Sequence, residues 1–279
     1  MRDGAPFLAS DLAELDGRLL SHASAVVAME DVHDGHRDPS AIGLRHDVDA
    51  ADALETAVRI AGWEAERGYR STYYILHTSP YWGAPGFHDA LTRIAELGHE
   101  IGIHTNALAE ALRTGRDPDV VLSQAIGVLR SYGFPVRGVA GHGDPLCNRD
   151  RLPGESSFVN DEQFVECARP KEGAPDRTIT RGNVTLKLRP RPLADFGLEY
   201  EALRVGLPAP FRISDSGGRW FSPGWEETVR RWHADRVSAE ASQLHFLWHS
   251  DWWQGAFVRE EVAYKVLAAQ ELLLEGITP

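Results

Sequence analysis

The sequence predicts an α/β protein built on a parallel sheet or barrel. Short apolar segments alternate with amphipathic ones along much of the chain, the order that βαβ units require. Two of the amphipathic segments stop at a glycine, Gly68 and Gly98, as helices do when their last turn closes in the left-handed conformation. The length, 279 residues, is one that α/β barrels use as a single unit.

The elements follow in order. Asp11 to Met29 carries Leu12, Leu15, Leu19, Leu20 and Val26 at helical spacing, so residues 1–40 read as an N-terminal helical extension ending in a polar loop, Asp31 to Pro39. Ala41 to Arg45 is a short buried strand that ends in His46-Asp47-Val48-Asp49. Ala51 to Arg67 is a helix, Ser71 to Leu76 a strand rich in Tyr, Thr and Ile, and Phe87 to Leu97 a helix. Glu100 to His104 is a strand, Pro118 to Tyr132 a helix with proline in its first turn, and Val136 to Ala140 a strand. Residues 144–210 lose the pattern to repeated Pro and Gly, with short strands at Thr178–Thr180 and Val184–Leu188. Order returns with a strand at Phe211–Ser214, a helix at Gly224–His233, a strand at Leu244–Trp248 and a helix at Val258–Leu274. No segment reads as an interdomain linker, so residues 1–279 are expected to form one domain with an irregular insertion.

Composition excludes several functions. With 29 basic and 41 acidic residues the net charge is −12, which disfavours a nucleic-acid backbone or an anionic lipid surface as partner. Apolar runs are too short for a membrane span. Cys147 and Cys167 cannot build a disulfide framework or a Cys-x-x-Cys zinc site. The N-terminus has no apolar core of a signal peptide, so a cytoplasmic location is expected.

Four clusters end strands. Asp47 and Asp49 lie two apart and share a strand face, where two carboxylates repel unless a cation or proton lies between them; capping of the next helix accounts for one of them only. His104 ends the Glu100 strand, either as a ligand for a divalent metal such as zinc or as a hydrogen-bonded core histidine. His142 follows the next strand between Gly141 and Gly143, and His249 ends the Leu244 strand. In an α/β barrel the strand C-termini form the site. His99 is at the opposite strand end and reads as structural. Asp215 ends another strand and could orient a catalytic group, bind substrate hydroxyls or shape a turn. Trp220, Trp252 and Trp253 fall in predicted loops, where they either stack on a sugar or pack over the barrel mouth. Ser250 lacks the Gly-x-Ser-x-Gly setting of a serine hydrolase, and no phosphate-binding glycine loop is present.

These clusters, in this order, resemble the polysaccharide deacetylase family (carbohydrate esterase family 4, the NodB-homology domain). The carriers are His46-Asp47-Val48-Asp49, Gly98-His99-Glu100-Ile101-Gly102-Ile103-His104-Thr105, Arg137 to Gly141 and Leu247-Trp248-His249. The resemblance implies a distorted (β/α) barrel of about seven strands, a divalent metal, and removal of acetyl groups from N-acetylated sugars. It assigns Asp47 as catalytic base, Asp49 and His104 as metal ligands and His249 as general acid, and Arg137 is expected to pair with Asp47. The sequence departs from the family where a second ligand histidine belongs, because that position is Leu108. His142 is the expected replacement, its ring facing Asp49 and His104; Asn106 and His77 are the fallbacks and otherwise candidates for substrate contact.

The expectation is therefore a zinc-dependent hydrolase that removes an acyl group, in the first place acetyl, from an amide nitrogen of a sugar or glycosylated small molecule. The alternatives are a barrel that has lost its metal and only binds a carbohydrate or partner protein, and a C–N hydrolase acting on a non-sugar amide.

Overall fold

The computed structural model describes residues 7–147, 158–167, 177–205, 211–216, 218, 223–236 and 242–257. The expected helix at 258–274 and Trp220 lie outside these residues. The strands are β1 (Val26–Val27), β2 (Ile42–Val48), β3 (Thr72–Leu76), β4 (Glu100–Thr105), β5 (Gly138–Gly141), β6 (Arg177–Arg181), β7 (Val184–Leu188), β8 (Tyr200–Glu201), β9 (Phe211–Ser214) and β10 (Leu244–His249). The helices are α1 (Ala9–Arg18), α2 (Met29–His33), α3 (Ala53–Ala65), α4 (Phe87–Glu96), α5 (Ala107–Thr114), α6 (Pro118–Ser131) and α7 (Pro223–Asp235).

Seven strands run in the order β8-β5-β4-β3-β2-β10-β9, every neighbouring pair parallel, and the sheet curls into a half-barrel. This is a distorted α/β barrel. β1 adds a further parallel pairing to β2, and β6–β7 form a separate antiparallel hairpin.

Strand alternation divides the chemistry between two faces. Leu44, Val48, Ile75, Ile103, Val139, Phe246 and Trp248 join one apolar cluster that also takes in Ala57 and Ile60 of α3, Leu91 of α4 and Leu122 of α6. The opposite, inner face carries Arg45, Asp47, Tyr74, His104, His245 and His249. Room inside is tight. A Cβ on Gly102 would come within 2.5 Å of the Tyr74 ring, so glycine is required for that ring to lie across β4.

Three sequence expectations change. The helix expected from Asp11 to Met29 stops at Arg18, and the chain turns, pairs Val26 and Val27 with β2, then starts α2. Two β-branched valines meet an open strand there, and tertiary pairing overrides helical spacing. A helix not separated by the periodicity, α5, follows β4 directly and is capped by Gly115 at φ 71°. The 144–210 stretch has the two short strands expected of it, paired as the β6–β7 hairpin, and also supplies an unexpected strand, β8 of the main sheet. Among the described residues no helix is long and apolar enough to cross a membrane.

Candidate metal centre

The C-terminal ends of β2, β4 and β5 bring Asp49, His104 and His142 together. Register places Leu76 beside His104 and His104 beside Ala140, so His142, two residues beyond Ala140, falls on the same face as His104. Asp49 Oδ1 is 3.3 Å from His104 Nε2 and 3.5 Å from His142 Nδ1. The two imidazole nitrogens are 3.3 Å apart. A tetrahedron with ligand atoms ~2.0–2.1 Å from its centre has edges of about 3.3–3.4 Å, the zinc value for His and carboxylate donors. Two sides of the triangle match that edge, and the third, Asp49 to His142, exceeds it by about 0.1 Å. Among the described residues these three make one of two clusters whose metal-ligating atoms converge; the other, Asp161, Cys167 and Glu201, is wholly buried.

Hydrogen bonding fixes which nitrogens face inward. His104 Nδ1 donates to the Ala140 carbonyl at 3.0 Å. Burial pushes this imidazole below its ordinary pKa despite Asp47 and Asp49, so it is neutral near pH 7 and Nε2 presents a lone pair to the carboxylates. A lone pair aimed at Asp49 Oδ1 is repulsive unless a cation, or a proton carried by His142, lies between them. His142 behaves differently. Burial works against its charge, but Asp49, with Asp144 and Asp47 behind, raises it. Asp49 is held below the ordinary carboxylate range because His104, His142 and His249 together outweigh its burial. The donor set therefore fits a divalent ion: two imidazoles and one carboxylate, with no other bond claiming the inward-facing atoms.

Asp47 stands beside this triangle, its Oδ2 3.5 Å from His104 Nε2. Its guanidinium partner is not Arg137. Arg137 donates to Asp34 and Glu199 at 2.6–2.9 Å, at the start of β5. The site gathers at strand C-termini, so an arginine preceding a strand sits at the wrong end of the barrel. The partner is Arg45, two residues before Asp47 on the same strand face, with Nη2 3.6 Å from Asp47 Oδ2 and both side chains buried. His46, between them, points to the outer face and bonds Glu64 of α3 at 2.8 Å. Glu64 also accepts from Ser71 and Tyr73, and His99 joins this buried group, which fits the structural role expected for it.

His249 lies in register with Asp47 on the adjoining strand. Its Nδ1 donates to Asp215 at 2.7 Å, and its backbone N–H donates to the same carboxylate. Trp253 Nε1 donates to the other oxygen at 3.0 Å. Asp215 is fully buried and accepts all of these bonds, including the one from the His249 ring. Although burial opposes charge on His249, Asp215 with Asp47 and Asp49 raises it to about 9. The Nδ1–H is thereby taken, and the ring carries its proton at neutral pH. Asp251, which the sequence reading passed over, accepts from the Ala50 backbone at 3.0 Å and fixes the chain just after Asp49.

The remaining candidates divide. Asn106 donates to Thr78 and Asp144 and accepts from Asn160, so neither end of its amide is available to a metal. His77 accepts the Asn106 backbone N–H at its Nε2, and burial with the nearby His104 and His142 lowers it to about 4. It is neutral, is not part of the triangle, and lines a cavity of about 370 Å³ with Thr78, Trp82 and Arg116. Trp253 is core, stacked edge-on against Trp248 at 4.8 Å, and Trp252 is half-buried over Gly218. Leu108 is fully buried on α5 among Cys147, Phe158, Ile179 and Leu188.

The strand ends thus gather three donor atoms that could hold a cation, flanked by a carboxylate–guanidinium pair and a carboxylate–histidine pair. No family model matches the sequence, and no curated protein matches it. Solved structures do. The chitin deacetylase from the fungal pathogen Colletotrichum lindemuthianum is similar at 14% identity, over 82% of this chain and 81% of that one, with a TM-score of 0.39. A mutant of the peptidoglycan deacetylase PdaC from Bacillus subtilis is similar at 12% identity, over 84% of this chain and 96% of that one, with a TM-score of 0.35.

Proposed function

We propose that this protein is a metal-dependent hydrolase that removes an acyl group, in the first place acetyl, from an amide nitrogen of a sugar or glycosylated small molecule. The observation that carries the reading is the Asp49–His104–His142 triangle, with edges of 3.3–3.5 Å, set against two further groups of opposite proton demand. Asp49, His104 and His142 would hold the ion, and zinc is the ion proposed. Such an ion supplies Lewis acidity toward a carbonyl oxygen and a water.

The chain's own residues do the rest. Asp47 accepts the proton of the attacking water, and Arg45 holds that carboxylate in place. His249, kept protonated by Asp215, donates from Nε2 to the departing amine. The two proton carriers stand on adjacent strands in register, which suits a substrate bound across them. The cavity beside His77 and Trp82 would take the sugar, the indole supplying an apolar wall.

The test is metal content with turnover. Protein loaded with zinc is expected to hold one equivalent and to release acetate from N-acetylated chito-oligosaccharides, while Asp49→Ala and His142→Ala lose both. Wild-type protein that binds no divalent ion would overturn the hydrolase reading. Metal binding with no acyl release from sugars or simple amides would leave a binding protein.

A further inference from the structure

Below the metal centre, on the inner face of the half-barrel, lies a second chamber, largely apolar with a few buried polar groups, and of its lining the proposed reaction uses Arg45 alone, through Asp47. Its volume is about 150 Å³, and Arg45, Arg212, His245 and Ser214 line it together with apolar walls from Met29, Ala202, Leu203 and Phe246. Arg45 and His245 lie two and four residues before Asp47 and His249 on their strands, about 7 and 13 Å deeper by strand rise.

Two of its side chains are buried with bonds unmade. Arg45 is 7% exposed; Nη2 serves Asp47, while Nη1 has no partner. His245 is 6% exposed and neither ring nitrogen has a partner. A buried donor left unpaired is costly, and more so when charged. The ring is positioned, not loose, because a Cβ on Gly43 across the strand pair would come within 3.1 Å of it. The charges favour an anion. Burial, then Arg212 and Arg45, push His245 down to about 3, so it is neutral and offers an N–H. Two guanidiniums face Asp47 and a Glu201 that burial raises to about 7, against Arg45 and Arg204, so that it is charged only part of the time at neutral pH.

We propose that this chamber is a binding site for a short-chain carboxylate of acetate's size, its oxygens on Arg45 and His245 and its alkyl end against Met29, Leu203 and Phe246. A carboxylate suits the lining better than phosphate does. It has one polar and one apolar end, as the chamber has, whereas phosphate presents acceptors on every side and would set several against apolar wall. A volume near 150 Å³ holds about six heavy atoms, as a benzene-sized cavity does. The site stands whether or not the hydrolase reading does, since none of its lining residues is a metal ligand.

The test is calorimetric titration of sodium acetate into the metal-loaded full chain, with phosphate and chloride at equal ionic strength. Saturable acetate binding is expected, weakened about tenfold or more by Arg212→Gln, which removes an exposed cation, and by Ala202→Leu, which fills the chamber. Asp49→Ala, which dismantles the metal site, should leave it unchanged. Binding lost in Asp49→Ala but kept in the two chamber variants would overturn the proposal, as would the absence of saturable acetate binding or a preference for phosphate or chloride. An inactive enzyme with intact acetate binding would refute only the hydrolase reading.

Discussion

Replacing Asp215 with asparagine tests the proton-donor half of the site. His249 stands at about 9 against an ordinary 6.5, a gap worth about 3 kcal/mol. Burial pulls the other way, so the surrounding carboxylates supply more than this net figure, with Asp215 leading and Asp47 and Asp49 behind. Asparagine keeps an oxygen for the Nδ1–H and removes the charge. The His249 midpoint is therefore expected to fall to about 7 or below, since uncompensated burial then dominates. The direct assay is an NMR titration of the histidine rings in chelator-treated wild type and variant. The kinetic assay is the alkaline limb of the pH profile for amide cleavage, with about a tenfold loss at pH 8 when the midpoint moves from about 9 to about 7. Cleavage of an activated ester, whose leaving group needs no proton, should be spared. The sign for stability follows from the raised value. The His249–Asp215 pair stabilises the fold fully below about pH 6.5 and loses that contribution as pH rises through about 9. The variant's stability deficit should thus be largest near pH 6 and close by pH 10. A His249 midpoint that stays near 9 in Asp215→Asn would refute the reasoning.

Asp47→Asn should retain the metal and lose about 10²–10⁴-fold in turnover, checked by metal analysis beside acetate release. Arg137→Gln should leave turnover unchanged and cost at most about 1 kcal/mol in thermal unfolding, because its ion pairs with Asp34 and Glu199 are at the surface. Arg45→Gln should lower turnover and destabilise by about 1–3 kcal/mol, since it leaves Asp47 buried without its cation. Leu108→His should not restore metal binding to His142→Ala, and in denaturant unfolding it should cost about 2–4 kcal/mol, because it sets a polar ring among Phe158, Ile179 and Leu188.

Much of the barrel was legible because its strands are short, apolar and separated by helices that stop at glycines with positive φ, such as Gly68 at 72° and Gly98 at 92°. What escaped was set by partners distant in sequence. Val26 and Val27 leave the helical pattern because β2 offers them a strand, and Tyr200–Glu201 becomes sheet because β5 has a free edge. Strand polarity and alternation held more about the site than motif likeness did. Alternation alone sends His46 outward to Glu64 and brings Arg45 inward beside Asp47. Polarity alone places Arg137 at the start of β5, a strand's length from the site. The arginine that can reach Asp47 is therefore the one two residues before it on its own strand, Arg45. The Asn160 contact could not be read at all. Its amide donates to the His142 carbonyl at 2.8 Å from a segment with no periodic pattern.

The third corner of the Asp49–His104–His142 triangle is set by contacts distant in sequence. The residue four positions after His104 lies on the helix that follows β4. Here that residue is Leu108, and it turns into an apolar cluster with Phe158 and with Ile179 and Leu188 of the β6–β7 hairpin. The 144–210 segment thus packs directly against the helix that follows β4. His142 reaches the same corner from β5, the next strand in the sheet. Its backbone N–H donates to the Thr105 carbonyl at 2.9 Å, which ties the turn to the end of β4, and Asn160 holds its carbonyl from the other side. Gly141 is needed for that arrangement, because a Cβ there would come within 2.9 Å of the Asp161 backbone nitrogen. The 144–210 segment therefore serves both neighbours of the β4 end: it covers Leu108 through Phe158, Ile179 and Leu188, and through Asn160 and the close approach of Asp161 to Gly141 it fixes the turn that carries His142.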